Sequence, residues 1–197
     1  MIKNEIRAIY NSKYIRVYQA YNNEIADSAI QNGNFICPPF KKERMTWIKP
    51  SFLWMMYRCN WGEKDRNQQR ILAIDITLEG FEWALSHACL SHFDSHIHAT
   101  EKEWKQQLEK FPVRIQWDPE RDIFSNPLNY RSIQIGLKNE AVNKYLTEWI
   151  VNITDITNDV KKMKILLNEN NLDELKKIIP KENKYYIDNQ KYHFINL

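Results

Sequence analysis

Two segments rich in β-branched and aromatic residues constrain the fold most strongly. They are Tyr14–Tyr21 (YIRVYQAY) and Arg70–Leu78 (RILAIDITL). This composition is typical of β-strands, and the second segment alternates as a buried strand does. Because successive side chains of a strand point to opposite faces, Gln19 is expected on the face opposite to Arg16. The chain must therefore build at least one sheet.

Further strands are predicted at Pro112–Trp117 (PVRIQW) and Arg131–Leu137 (RSIQIGL). The residue patterns predict helices at Glu24–Asn32, Phe52–Tyr57, Phe81–Leu90, Trp104–Leu108, Glu140–Ile153 and, as a pair, within Asp159–Ile179. Gly33 suits the end of the first helix, and Ser51 or Lys49 the start of the second. Between them, Phe35–Pro39 is expected to be extended because of its two prolines, and Asn60–Gln69 to be a polar loop.

Strands come first and helices last, which indicates an α+β fold. The 197 residues fit a single domain that buries enough surface to fold without disulfides or metal. We expect a central mixed or antiparallel sheet flanked by helices over residues 1–157. Residues 158–197 would form a helical C-terminal extension packed on that core.

Composition excludes several classes of protein. Only four glycines are present and none lie close together, so neither GxGxxG nor a P-loop exists, which excludes classical Rossmann and Walker-type sites. Three widely spaced cysteines indicate reduced thiols and a cytoplasmic protein. No signal peptide or stretch of about 18 apolar residues is found, so no membrane span is expected. The net charge of +3 permits a nucleic-acid or phosphate ligand.

The segment Arg44–Trp61 alternates cations with aromatic residues. Such a pattern suits a site that stacks a planar base and neutralises phosphate, although a buried helix with cations at its ends would look the same. We assign Phe52–Met56 to the core and the functional role to the leading edge. That edge comprises Arg44, Thr46 and Trp47, with Tyr57 in reserve.

Two other groups of polar residues attract a functional reading. The run Asp118–Asp122 (DPERD) follows a predicted strand, where Asp118 or Glu120 could act as general base or orient a ribose hydroxyl; an exposed Asx-Pro turn is the alternative. Arg131 and Gln134 lie on opposite faces of the next strand, and an amide among isoleucines needs hydrogen-bond partners. We take Arg131 and Asp118 as candidate substrate-binding residues.

Four histidines surround Asp94, namely His87, His92, His96 and His98. Imidazole and carboxylate together could ligate a divalent metal, but the spacing matches no established metal motif. We interpret the group as a polar loop and assign no metal.

Six strings occur in order: RVYQAY, RMTWIKPSFLWMMYR, LAIDI with GFEWAL, VRIQWDPERD, RSIQIGL and EWIVNITDIT. Together they resemble an uncharacterised bacterial and fungal family, domain of unknown function 4291, over residues of about 5 to 185. We expect the segment after Tyr186 to be particular to this chain. The family name implies no activity.

A second resemblance, carried by VYQAY followed by IADSAIQNGNF, is to the opening of the ADP-ribosyltransferase superfamily. It implies NAD as cofactor, with Arg16, Gln19 and Arg44 on the pyrophosphate and ribose and Trp47 or Tyr57 stacked on the nicotinamide. Glu120 or Gln134 would stabilise the oxocarbenium-like centre. Since Gln134 replaces the Glu of many such enzymes, Glu148 is a further alternative, and relatives that transfer phosphate from RNA to NAD are another model.

The resemblance thus predicts an NAD-dependent transferase that modifies a nucleic-acid or protein acceptor. The same arginines and aromatic residues also suit a non-catalytic module that binds single-stranded nucleic acid. A metal-dependent nuclease built on the histidines and Asp118 is the third hypothesis.

Overall fold

The structure, a computed structural model, describes residues 3–187. Its strands are β1 (Lys3–Asn4), β2 (Ile6–Ala8), β3 (Tyr14–Tyr21), β4 (Thr46–Ile48), β5 (Arg70–Thr77), β6 (Ala88–Leu90), β7 (Val113–Arg121), β8 (Pro127–Leu137), β9 (Ile150–Asp155) and β10 (Asn183–Tyr185). Its helices are α1 (Asn23–Asn32), α2 (Phe52–Cys59), α3 (Leu78–Ser86), α4 (Glu101–Lys110), α5 (Glu140–Lys144), α6 (Thr157–Asn168) and α7 (Leu172–Ile178). The expected α+β class is confirmed.

The larger sheet is mixed and centres on β8. One edge of β8 pairs antiparallel with β7, which continues in parallel to β6. The other edge is shared, since β1 runs parallel beside Tyr130 and Arg131 whereas β4 runs antiparallel beside Ile135–Leu137. The short strand β4 is thereby held at one end of this sheet.

A second, antiparallel sheet has the order β3-β5-β9. It meets the larger sheet where the backbone N–H of Tyr18 donates to the carbonyl oxygen of Lys49 at 2.7 Å. This bridge lies directly after β4, so β3 and β4 approach each other across the junction of the two sheets. A third sheet consists of β2 and β10.

The central strand β5 of the three-stranded sheet is buried on both faces, whereas most residues of β9 are exposed or half-buried. Ile15 and Val17 of β3 point into the main core, which the larger sheet, α3 and α5 complete. Tyr18 points the other way, into a second apolar cluster formed with α2, α6 and α7. This double burial explains why all six residues of β5 from Ile71 to Ile76 are buried.

The expected bounds of β3, the expected end of α1 and the expected start of α2 are confirmed. Strand β3 has the predicted bounds. Gly33 ends α1 in the left-handed region, at φ 64°, which glycine adopts without steric cost. Ser51 precedes α2, and its hydroxyl accepts the backbone N–H of Trp54 at 3.2 Å.

The helix predicted at Glu140–Ile153 is confirmed as far as Trp149 and is wrong in its last four residues. Helix α5 ends at Lys144, a π-helical turn covers Tyr145–Trp149, and the chain then forms β9. The apolar spacing correctly identified the helical part. It could not show that β5 has a free edge, on which the β-branched residues from Ile150 onward pair instead.

Three further expectations need correction. Helix α3 begins at Leu78, earlier than predicted, because the Thr77 hydroxyl caps it, and Ala88–Leu90 is the parallel strand β6 rather than helix. Residues 37–39 form a turn, not an extended segment. The segment Asn60–Gln69 begins with a 3-10 turn that buries Trp61.

The C-terminal segment contributes to the core and to a sheet, in addition to the helices that were expected there. Helices α6 and α7 cover the second apolar cluster, and β10 then returns to pair antiparallel with β2. Beside β10, the carboxylate of Glu182 accepts the backbone N–H of Phe52 at 2.6 Å, at the start of α2. The tail beyond residue 187 lies outside the described residues.

No helix within residues 3–187 has the length and apolar character that crossing a membrane requires.

The burial of Glu182 predicts a pH-dependent stability. Desolvation, together with the nearby carboxylate of Glu120, raises the pKa of Glu182 to about 8. The folded chain therefore holds a proton that the unfolded chain releases near pH 4.5, and the free energy of unfolding falls as the pH rises through this window. We expect Glu182→Gln, which keeps the acceptor oxygen, to reduce that fall when denaturant midpoints are compared between pH 5 and pH 8.5.

The matched control is Glu174→Gln, at an exposed residue on α7. It should leave the pH dependence of the wild type in place. An equal slope in the Glu182→Gln variant and the wild type would contradict the assignment.

Candidate functional site

A cavity of about 580 Å³ opens at the junction of the two sheets. Its walls come from the end of β3 and the start of α1, from the segment that leads into and through β4, from α2, and from the loop before β5. The polar and aromatic side chains that line it include Gln19, Glu24, Lys41, Arg44, Thr46, Trp47, Lys49 and Arg58. This volume is within the range of about 300–1,000 Å³ typical of small-molecule sites.

Gln19 holds the walls of the cavity together. Its side-chain Nε2 donates to the carbonyl oxygen of Trp47 on β4 at 3.1 Å, while its Oε1 accepts the hydroxyl of Tyr145 at 2.8 Å. Gln19 is only 4% exposed and Tyr145 is fully buried. An amide that satisfies both partners in the core specifies their separation, because each would otherwise be buried without a partner.

The cavity is strongly cationic. Lys41, Arg44, Lys49 and Arg58 line it, against the single carboxylate of Glu24. Within residues 3–187, none of these four cations forms an ion pair. Cations that lack a protein counter-ion and share a concave surface create a positive potential that attracts an anionic ligand.

Lys49 is the most unusual of these residues, because it is buried. Only 7% of it is exposed, its Nζ donates to the carbonyl oxygen of Trp47 at 3.1 Å, and the ammonium lies 5.8 Å from the centre of the Trp54 ring. Desolvation, and next the repulsion of Arg58, lowers the pKa of Lys49 to about 7. Its backbone is fixed by the bridge to Tyr18.

Trp47 provides the aromatic surface beside these charges. It lies on β4 opposite Gly136 of β8, and a Cβ atom added to Gly136 would be 3.0 Å from the Trp47 ring. The absence of a side chain at Gly136 therefore lets the indole lie directly on the sheet. The remaining exposed part of the ring is available to a planar group, as aromatic platforms in nucleotide sites are.

Asp118 and Gln134 lie next to the cavity without lining it. Strand β7 continues to Arg121, so the expected loop after Trp117 is wrong and Asp118 is a strand residue paired with Ser132. Its carboxylate accepts from Gln116 at 2.9 Å and from Gln134 at 2.7 Å. The charge of Asp118 raises the pKa of Lys49, although less than burial lowers it.

Glu120 is placed away from the cavity. It is 2% exposed and lies beside Ser51, Ser132 and Arg7, where desolvation raises its pKa although the backbone N–H of Arg121 donates to its carboxylate at 2.8 Å. Glu120 therefore lies near the start of α2, whereas Arg58 lies in the last turn of that helix.

The remaining predicted residues lie in three other places. Arg16 forms a two-bond ion pair with Asp75, at 2.7 and 2.9 Å, and lines a separate cavity beneath α6. Arg131 donates to the carbonyl oxygen of Trp117 at 2.9 Å. Tyr57 is 42% exposed, with the guanidinium of Arg121 4.0 Å above its ring.

The histidines are dispersed. His87 stacks on Trp83, with ring centres 3.9 Å apart, and His98 contacts Asp94 and Gln107. Within the described part of the chain, no group of three or more His, Cys, Asp or Glu side chains has an arrangement that could hold a metal ion.

The structure thus brings together Gln19, Arg44, Thr46 and Trp47. Lys49 is one of the cations of the Arg44–Trp61 segment and a possible helix cap, but it is not among the predicted site residues. Its signal was a lysine within an apolar run, between Ile48 and Pro50, because lysine is almost never buried without a specific reason.

Comparison with known families identifies the chain. The profile described as "Domain of unknown function (DUF4291)" matches residues 5–185, and the protein belongs to this family. No curated protein matches the chain. The expected resemblance to the ADP-ribosyltransferases receives no support from these comparisons.

The buried ammonium of Lys49 predicts a second pH effect, with the opposite sign to that of Glu182. Between about pH 7 and pH 10.5 the unfolded chain binds a proton at this lysine that the folded chain lacks, so stability rises with pH across that window. We expect Lys49→Met to abolish this rise and to be more stable than the wild type below pH 7. Urea denaturation from pH 6 to pH 9.5 measures both effects.

The matched control is Lys41→Met, at an exposed lysine of the same cavity. The same pH dependence in both variants would show that the burial of Lys49 does not cause the rise of stability with pH.

Proposed function

We propose that the cavity binds a phosphorylated nucleotide, with NAD as the first candidate, and that the protein is an ADP-ribosyltransferase-like enzyme of the cytoplasm. The acceptor would be a nucleic acid or a protein. The observation that carries the proposal is that Lys41, Arg44 and Arg58, none of which forms an ion pair within residues 3–187, lie beside an indole in one cavity of suitable size.

The charges fit a ligand with two phosphates. A pyrophosphate carries several anionic oxygens, and arginine binds such groups through paired N–H donors. Arg44 and Arg58 enter the cavity from different segments, so that they could contact both phosphates, and Lys41 adds charge at the rim. Arg16 has no part in this contact, because its guanidinium is held by Asp75.

The indole of Trp47 fits the planar part of the ligand. Stacking of a base or nicotinamide ring on an aromatic side chain contributes about 1–3 kcal/mol. The main chain of Trp47 is held by two hydrogen bonds to its carbonyl oxygen, one from Gln19 and one from Lys49, and its ring lies against Gly136. In this proposal Gln19 therefore positions the site rather than binding NAD through a free amide.

The transfer step would require a group that stabilises positive charge at the ribose C1′. Glu24 is the carboxylate among the lining residues, and the hydrogen-bonded pair of Asp118 and Gln134 is adjacent to Lys49. These groups take the role that was expected of Glu120, whose side chain is buried elsewhere. An anionic group near an oxocarbenium-like centre lowers the barrier by electrostatic stabilisation.

Binding of single-stranded nucleic acid without catalysis is the second candidate. One observation favours it, namely that Tyr57 and Arg121 form an exposed stacked pair outside the cavity. A strand could place one base on Trp47 and another at this pair, with its backbone along Arg44 and Arg58.

We expect NAD to raise the melting temperature of the purified protein and to release nicotinamide on incubation with single-stranded DNA, RNA or a protein mixture. Arg44→Ala should weaken NAD binding by about tenfold or more, because it removes a charged hydrogen-bond donor. Calorimetric titration and chromatography of nicotinamide measure the two effects.

Lys102→Ala, at an exposed residue of α4 outside the cavity, is the control and should bind NAD as the wild type does. A thermal shift with oligonucleotides alone would favour the second candidate. No response to either ligand would overturn both.

A further inference from the structure

We propose that Lys49 is a nucleophilic amine that forms an imine with the carbonyl carbon of a phosphorylated aldehyde or ketone bound in the same cavity. This activity goes beyond nucleotide binding and does not rest on it, since NAD carries no aldehyde.

The position of Lys49 suits an attacking group. Its side chain lines the cavity, yet only 7% of the residue is exposed, so water has little access to it. The main chain is fixed by the bridge from Tyr18 at 2.7 Å, and the Nζ atom by the carbonyl oxygen of Trp47 at 3.1 Å. A nucleophile that is held in place loses little further freedom when it meets its substrate.

Burial and the neighbouring Arg58 favour the neutral amine of Lys49, which is the reactive form, and they outweigh Cys59 and Asp118, which act in the opposite direction. No carboxylate forms an ion pair with it among residues 3–187, and Arg58 lines the same cavity. Desolvation and an adjacent cation are the two devices by which lysine nucleophiles are activated. With a pKa of about 7, roughly half of the Lys49 side chains are neutral at pH 7, whereas an ordinary lysine is neutral in about one molecule in 2,500.

The other cations define the class of substrate. Arg44 and Lys41 line the cavity, both are exposed, and neither forms an ion pair with a residue in the described range 3–187. They would hold a phosphate group at the rim while the carbonyl end of the same molecule reaches the buried amine. The preferred ligand is thus a small phosphorylated carbonyl compound rather than a neutral aldehyde.

The reaction requires no oxidant or reductant. The lone pair of the neutral Lys49 amine adds to the carbonyl carbon, and the carbonyl oxygen takes up the proton that the nitrogen loses, which gives a carbinolamine. Loss of its hydroxyl group as water, with one further proton from the nitrogen, forms the C=N bond. One amine and one carbonyl compound therefore give one imine and one water molecule.

The test uses the full chain and pyridoxal 5′-phosphate as the probe. We expect an imine absorbance band, and after reduction with borohydride, peptide mapping should place the stable adduct on Lys49. Lys49→Arg keeps a cation but cannot form an imine, and it should lower the trapped adduct by about tenfold. Lys102→Arg, the matched change at an exposed lysine of α4 outside the cavity, should leave it unchanged.

Two further measurements sharpen the test. Pyridoxal without its phosphate should react more weakly with the wild type, and Arg44→Ala should remove most of that difference. The labelling rate of Lys49 should level off just above pH 7, whereas an ordinary lysine gains reactivity up to about pH 10.

The peptide map of the wild type is informative even if a Lys49 variant fails to fold. Adduct on Lys41 or on other exposed lysines, with Lys49 unmodified, would overturn the proposal. So would equal labelling of a folded Lys49→Arg variant. Failure of NAD to bind would leave this result unaffected, so the two proposals can fail separately.

Discussion

The side-chain amide of Gln19 is the contact on which the candidate site depends. It joins β3 to β4 through the carbonyl oxygen of Trp47, and joins both to the π-helical turn through the hydroxyl of Tyr145. Because these partners are buried, any displacement of β4 would leave polar groups without hydrogen bonds, at a cost of about 1–3 kcal/mol each. The amide therefore sets the distance between the two sheets at the point where the cavity opens.

The burial of Lys49 beside another cation of the cavity lowers the stability of the folded chain. Lys49 is buried next to the cation Arg58, no carboxylate within residues 3–187 forms an ion pair with it, and its charged form is correspondingly disfavoured. Proteins retain such arrangements mainly where they serve a function, since a well-packed apolar residue would be more stable. The buried carboxyl groups of Glu120 and Glu182 lie at the other end of α2, where Glu182 accepts the backbone N–H of Phe52 and so ties the C-terminal segment to the core.

Local patterns predicted a helix or strand correctly where its formation depends on the residues of that segment and their near neighbours. Strand β3 was predicted with its observed bounds, and the Ser51 and Gly33 caps were recognised because capping depends on neighbours within a few residues. The pattern failed at Ile150, where apolar spacing suited a helix but a free strand edge was available. It failed again at Asp118, whose following proline suggested a turn in a strand that continues to Arg121.

The candidate site was predictable only in part, for the same reason. The leading edge at Arg44, Thr46 and Trp47 could be recognised from its mixture of charge and aromatic surface, and it lines the cavity together with Gln19. The separation of Glu120 and Arg16 from that cavity depends on strand register and on the partner Asp75, neither of which leaves a mark in the nearby sequence.

The sequence by itself determined the α+β class, the family and the segment from which the site is built, because composition, spacing and long shared strings are properties of the chain. Only the tertiary structure decided which charges face one another. Burial of Lys49, its approach to Arg58 and the distance of Glu120 from the cavity arise where β3 and β4 meet, between residues far apart in the chain. Desolvation and electrostatic repulsion act through space, so their effect on a lysine in an apolar run becomes visible only when the two sheets are in place.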